Sequence, residues 1–156
     1  VSEIFIEDLA FDYAHFIPGH PHCGLLHGHT SVVEVRVWGP VDELGMIIDF
    51  ADLKKTVNWV LSDIDHRVFI DRSLSPILAD DSVAVTWEAR GRHFTLSVPR
   101  GAAVLLDGPS TIENITQYLA EKCAEALMAS WRISGVAVTA TEGFRKGATY
   151  SVVGRR

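Results

Sequence analysis

The chain has 156 residues, 47% of them hydrophobic and 22% charged, and a formal net charge of −6. That composition fits a single globular domain (1–156) with its own apolar core; it excludes a disordered chain and offers no basic face for nucleic acid. No apolar run approaches the roughly 20 residues a membrane helix needs. No charged-then-apolar leader resembling a secretion signal opens the sequence, and Cys23 and Cys123 are too far apart to make a disulfide framework. The expectations are therefore no nucleic acid, no membrane and a cytoplasmic setting.

The elements follow in chain order. Ile4–Phe16 mixes β-branched, aromatic and acidic residues and reads as a first strand. Turn material follows at Pro18-Gly19-His20-Pro21. From His29 to Gly39 apolar and polar residues alternate, with Val33, Val35 and Val37 on one face and Glu34 and Arg36 on the other, the period of a half-buried strand. Two strands joined through a loop predict an antiparallel pair. The stretch "DFADLKKTVNWVLSDIDH" switches to a helical period: Phe50, Leu53, Val57, Val60, Leu61 and Ile64 share a stripe, Asp49 can cap its start, and Asp65-His66 closes its last turn. A second helix opens at Ser110, whose spacing to Glu113 suits a capping box. Its stripe is Ile112, Ile115, Leu119, Cys123, Ala126 and Leu127, and Cys123 reads there as a small buried hydrophobe. Between the helices, Leu74–Asp107 carries a hairpin of its own: Val83, Val85 and Trp87 alternate, "ARGR" turns, and Phe94, Leu96 and Val98 alternate back. Two short runs, "GVAVTATEG" and "GATYSVVG", form a closing hairpin. The expected fold class is α+β, with an antiparallel four-stranded sheet, two helices on one face (ββααββ) and an inserted hairpin. Such a sheet keeps two open edges, and sister subunits are one way to close them.

The segment "HCGLLHGHT" gathers three of the chain's seven histidines and one of its two cysteines. His27 and His29 stand two apart at the start of a strand, so both rings point to one side. His15 ends the neighbouring strand. Three neutral imidazoles on one face with an open fourth position is the layout of catalytic zinc. A lone strand histidine is usually a hydrogen-bonded structural residue, and His93 in the inserted hairpin is read that way. Cys23 has two roles open: a fourth ligand in a closed structural site, or an acid–base or nucleophilic thiol beside an open one. For Asp65 and His66, spacing alone favours a histidine placed by the helix dipole, since adjacent residues on a helix do not face each other. Glu142 shares strand parity with Val136, Val138 and Ala140, so its carboxylate leaves the apolar face of a sheet and must find a partner. The paired N–H donors of a pterin or guanine edge would satisfy it, as would Arg145.

In order, "FDYAH", "CGLLHGHT", "GMIIDFADLK", "DHRVFID", "PSTIEN" and "TEGFRKGATY" resemble the successive motifs of the 6-pyruvoyltetrahydropterin synthase family. The Cys-x-x-x-His-Gly-His spacing is similar to that of its 6-carboxytetrahydropterin synthase branch, which serves 7-deazapurine (queuosine-type) synthesis. The resemblance implies a tunnelling fold whose subunits build an oligomeric β-barrel and stack into a homohexamer with interfacial active sites. It implies Zn2+ held by His15, His27 and His29, and Cys23 as the base. It implies His66 with Asp65 as proton-transfer partners from a neighbouring subunit, and Glu142, Glu113 and Thr111 as substrate-binding residues. The implied substrate is the pterin triphosphate 7,8-dihydroneopterin triphosphate, which loses triphosphate and, in the carboxy-forming branch, acetaldehyde. Leu74–Asp107 departs from the family pattern and springs from beside His66, where it could cover the pocket. A non-catalytic zinc-binding interaction module, or a metal-free hydrolase using Cys23 and His66, are the readings from other classes.

Overall fold

Alternation in the two long N-terminal strands, interrupted in the first by an irregularity between Ile6 and Leu9, gives the sheet one apolar face, and the rest of the chain is organised around covering it. In the computed structural model, which describes residues 2–154, β1 (Glu3–His15) and β2 (His27–Trp38) form the antiparallel pair. Val33, Val35 and Val37 are fully buried, as their parity predicts. Next come α1 (Phe50–Ser62), β3 (Arg67–Asp71), β4 (Ile77–Ala79), β5 (Ser82–Ala89), β6 (Arg92–Pro99), β7 (Ala103–Leu106), α2 (Ile112–Ser130), β8 (Gly135–Thr141) and β9 (Gly147–Val153). Both helices pack on the valine face, where Leu53, Val57, Ile115, Leu119, Cys123 and Leu127 meet Phe11, Val35, Val136 and Val138 in one core. Asp49 caps α1 by accepting the Ala51 N–H. Phe50, the first member of the expected α1 stripe, is exposed instead.

The expected four-stranded antiparallel sheet is corrected to a six-stranded mixed sheet. The order is β7-β3-β1-β2-β8-β9, and both β1–β3 and β3–β7 pair in parallel. Within this single chain the sheet is open and makes no closed barrel. The two added strands are short and covered on both faces, so neither shows the alternation that marks a strand in sequence. Phe69, Val104 and Leu106 join the helix-side core. Val68, Ile70, Ala103 and Leu105 face the opposite way, into a second small core with Phe16, Val83, Val85 and Trp87.

That second core belongs to the insertion. β4, β5 and β6 form a separate three-stranded sheet, and Val83, Val85 and Trp87 stand opposite Val98, Leu96 and Phe94 as the hairpin reading anticipates. The last strand of the inserted segment, β7, returns to the main sheet.

Two helix ends also differ from expectation. α1 stops at Ser62 with Asp63 as its C-cap, and His66 adopts a left-handed backbone (φ 59°) in the turn beyond. At the start of α2 the cap is Thr111, whose hydroxyl accepts from Asn114 N–H at 3.4 Å, and not Ser110. The Ser110 hydroxyl donates instead to the Phe16 carbonyl at 2.8 Å, which ties the α2 entry to the end of β1.

Phe69 is fully buried between Tyr13 and Tyr118, with ring centroids 5.7 and 6.4 Å away. Phe69→Ala is expected to lower unfolding stability by about 3–5 kcal/mol, read from the midpoint of urea denaturation.

Candidate metal and catalytic site

The register of β1 against β2 sets His15 opposite His27 and Tyr13 opposite His29. All four side chains share the core-facing parity, at the end of the sheet where the apolar face gives way to polar side chains. The ligating nitrogens of His15, His27 and His29 lie within 4.8 Å of one another. His15 is fully buried, and its Nδ1 lies 2.6 Å from the Ser110 carbonyl; His27 Nδ1 lies 2.7 Å from the Leu25 carbonyl. A carbonyl can only accept, so both Nδ1 atoms carry the proton and both Nε2 atoms are left with bare lone pairs. Those two Nε2 atoms nevertheless face each other at 3.0 Å, and His29 Nε2 is buried with no hydrogen-bond partner. Lone pairs converging without a donor between them are the donor set of a divalent cation such as zinc, with backbone carbonyls fixing the tautomers from behind. The residues therefore fit a metal. Burial pushes the titration of His15 and of His29 below the ordinary imidazole value, which keeps both neutral and able to ligate.

Glu142 follows β8 in the strand parity read from sequence. Its Oε1 comes to 3.4 Å from His15 Nε2 and 3.5 Å from His29 Nε2. It does not belong to the set of donor atoms that all lie within 4.8 Å of one another, so it stands at the rim of the histidine cluster. Arg145 is exposed in the following turn with a left-handed backbone, and among the described residues the Glu142 carboxylate pairs with the histidines and not with Arg145.

Tyr13 is a site residue that the sequence reading missed. It is buried with an unpartnered hydroxyl, and its ring lies 5.2 Å from that of His15 and 5.7 Å from that of His29. Burial raises the phenol well above its usual range, and the Glu142 carboxylate and the Cys23 thiol add to the rise. The missed signal is parity, since Tyr13 is two residues before His15 in "FDYAH". Ser31, on the same face two residues after His29, is likewise buried with an unpartnered hydroxyl.

Cys23 sits half-buried on the loop between β1 and β2. Its sulfur does not join the three-histidine set. Among the described residues a second ligand-type cluster lies elsewhere: His66 Nδ1 is 2.9 Å from Asp65 Oδ2, and His66 Nε2 is 3.8 Å from Asp12 Oδ2. Helical spacing does not make Asp65 a partner of His66; the two meet because α1 has already ended and His66 stands in a left-handed turn beside its neighbour. The Asp12 N–H donates to Asp65 Oδ1 at 2.8 Å and holds that carboxyl below its usual range. Asp12 is even in β1 and Tyr13 and His15 are odd, so within one chain the Asp65–His66 pair and the three histidines occupy opposite faces of the sheet. Thr111 caps α2 next to Ser110, and Glu113 is exposed in the first helical turn.

Gly28 lets the two strands come this close. A Cβ there would stand 2.6 Å from the Tyr13 carbonyl oxygen, a backbone atom that cannot swing away. Gly28→Ala is expected to spread β1 from β2, separate His15 from His27 and His29, and lower bound metal at least severalfold by elemental analysis.

The fold and the histidine cluster define the class: an α+β protein with a mixed sheet, two helices on one face, and three histidines at the sheet's end that fit a divalent metal. The chain belongs to the 6-pyruvoyl tetrahydropterin synthase family, whose sequence profile matches residues 4–152, as the motifs suggest. A Methanocaldococcus jannaschii protein named as a candidate 6-carboxy-5,6,7,8-tetrahydropterin synthase is 30% identical over 149 residues, covering 91% of this chain and 89% of its own. The 6-carboxy-5,6,7,8-tetrahydropterin synthase of Haemophilus influenzae is 38% identical over 73 residues, 43% of this chain and 52% of its own. The solved 6-pyruvoyl tetrahydropterin synthase of Plasmodium vivax superposes with a TM-score of 0.80 at 25% identity, covering 97% of this chain and 98% of its own.

Proposed function

We propose that this chain is a zinc-dependent pterin synthase that converts 7,8-dihydroneopterin triphosphate to 6-carboxy-5,6,7,8-tetrahydropterin in 7-deazapurine (queuosine-type) biosynthesis. The observation that carries the reading is the convergence of the bare nitrogens of His15, His27 and His29, with the His15 and His27 Nε2 atoms 3.0 Å apart. The names of relatives such as the Methanocaldococcus jannaschii and Haemophilus influenzae proteins favour the carboxy product over the pyruvoyl one.

His15, His27 and His29 hold the zinc, which when bound supplies Lewis acidity to the hydroxyls of the substrate side chain. Glu142 accepts the paired N–H donors of the pterin ring from the rim of the cluster. Cys23 is the base that removes a proton from a side-chain carbon. His66, oriented by Asp65, is its proton-transfer partner and comes from a neighbouring subunit. The opposite-face placement of the two clusters supports that division, since a single chain cannot turn both toward one substrate. Thr111 and Glu113 border the pocket through the α2 entry, with Thr111 also capping the helix.

Cys23→Ala is expected to keep its zinc and its pterin binding and to lose about 10²–10⁴-fold in turnover. Mass spectrometry of the product from 7,8-dihydroneopterin triphosphate checks the reaction. A pyruvoyl product would favour the runner-up synthase; no turnover with retained zinc would favour a non-catalytic interaction module. Loss of zinc together with the thiol would make Cys23 a ligand.

The assembly proposed is a homohexamer, a dimer of trimers. It is supported by β9, an edge strand of the main sheet with Val153 and Tyr150 exposed, because an unpaired edge carrying apolar side chains calls for a cover. Light scattering at micromolar concentration should give about six times the 17.2 kDa of one chain; a monodisperse monomer would overturn the shared site.

A further inference from the structure

The segment between β1 and β2 that carries Cys23 is held in shape by its own bonds. Ile17 N–H donates to the Cys23 carbonyl at 2.6 Å, Cys23 N–H to His20 Nδ1 at 2.9 Å, and Gly24 N–H to the His20 carbonyl at 3.1 Å. These contacts are internal to the segment. They fix its curl; its far end is tied to the histidines where the Leu25 carbonyl lies 2.7 Å from His27 Nδ1, and the placement of the stretch around Cys23 needs contacts from outside the segment.

The inserted hairpin supplies that placement. Trp87, on β5, is buried, and its indole N–H donates to the carbonyl of Gly24, the residue after Cys23, at 2.8 Å. Its ring is stacked between Phe16 (centroids 3.8 Å, interplanar 17°) and Phe94 (5.2 Å, 16°). Phe16 immediately follows His15, so this stack connects the metal-site strand to the insertion. At the β5–β6 turn, Arg90 Nε donates to the Pro21 carbonyl at 3.0 Å, and its guanidinium lies 3.4 Å from His22 Nδ1. Gly24 is pressed against the hairpin closely enough that a Cβ there would lie 3.2 Å from the Ala89 methyl. The insertion thus grips the segment on both sides of Cys23, at Pro21–His22 and at Gly24.

We propose that the inserted hairpin is the positioning element for the Cys23 thiol, with Trp87 as the positioning residue that fixes Gly24 and Arg90 as its second anchor. The inference rests on the assignment of Cys23 as the base. A buried indole N–H aimed at a loop carbonyl is a directional constraint, and a base displaced by about 1 Å loses much of its rate while the substrate still binds. The inserted hairpin then has a role in the reaction without contributing a group that touches substrate.

The test uses the zinc-loaded enzyme. Trp87→Phe keeps an aromatic ring in the stack and removes the N–H together with part of the ring system. It is expected to lower kcat about tenfold with KM within about twofold and zinc content unchanged. The Cys23 alkylation rate by iodoacetamide in the native state should rise severalfold as the segment loosens. Cys123 is silent in that assay, because it is buried and its thiol is pushed up to about 12. Arg90→Ala, at an exposed position, should move both readouts in the same direction by less, and it carries the test if Trp87→Phe folds poorly. Wild-type alkylation and wild-type kcat in a folded Trp87→Phe protein would overturn the proposal, as would faster alkylation with no loss of kcat. If Cys23→Ala keeps full turnover, the assignment of the base is what has failed. The alkylation rate of Trp87→Phe then still decides whether the hairpin places the thiol.

Discussion

The pairing register of β1 with β2 is the constraint on which the rest depends. It sets Glu3 opposite Trp38 at one end, Leu9 opposite Val33 in the middle and His15 opposite His27 at the other end. Because side chains alternate with a period of two, a one-residue slip would turn Val33, Val35 and Val37 out to solvent and the imidazoles with them. The free energy of burying the valine face under α1 and α2 therefore also holds the histidine geometry. The core and the pocket are two stretches of the same face, and neither can move without the other.

That economy leaves polar groups where an apolar core would ordinarily continue. His29 Nε2 and the hydroxyls of Tyr13 and Ser31 are buried without partners, and each such group costs about 1–3 kcal/mol when nothing satisfies it. Carbonyls from Ser110 and Leu25 orient two of the imidazoles, but they do so by committing the only N–H of each ring. The cluster is consequently unsatisfied as a purely protein structure, and a cation would satisfy it. Local rules are broken at one end of the sheet and kept everywhere else, which is the pattern expected where function opposes stability.

How much of this is legible in the sequence follows from which signals are local. The composition of β1, the alternation in β2 and the inserted hairpin, the stripe of α2, and the parity that brings Glu142 to the histidines all read directly, because each depends on residues a few positions apart. β3 and β7 do not. "RVFID" and "AVLL" are buried on both faces and too short to tell from other apolar runs, and they become strands only because β1 offers them a parallel edge. His66 misleads for a related reason: the helical period runs smoothly to Ile64, and nothing nearby announces a left-handed turn at a non-glycine residue. Ser110 has the spacing of a helix cap, yet its hydroxyl is drawn off to Phe16, a partner 94 residues away that no local pattern could supply.

β1 also acts as a partition. Its odd residues Phe11, Tyr13 and His15 enter the core and the pocket, while Asp12 on the other face holds the turn that carries Asp65 and His66. On the proposed reading the reaction needs a base beside the metal and a second proton carrier opposed to it. A sheet one strand thick keeps those two apart within a chain, so the substrate must lie where the outer face of one sheet meets the pocket end of another. The same open sheet leaves the outer edge of β9 unpaired, with apolar side chains exposed on that strand. The physical need to cover an edge and the chemical need to join two faces thus call for the same contact between subunits. A variant that kept chains apart would then lose turnover while retaining the full three-histidine site.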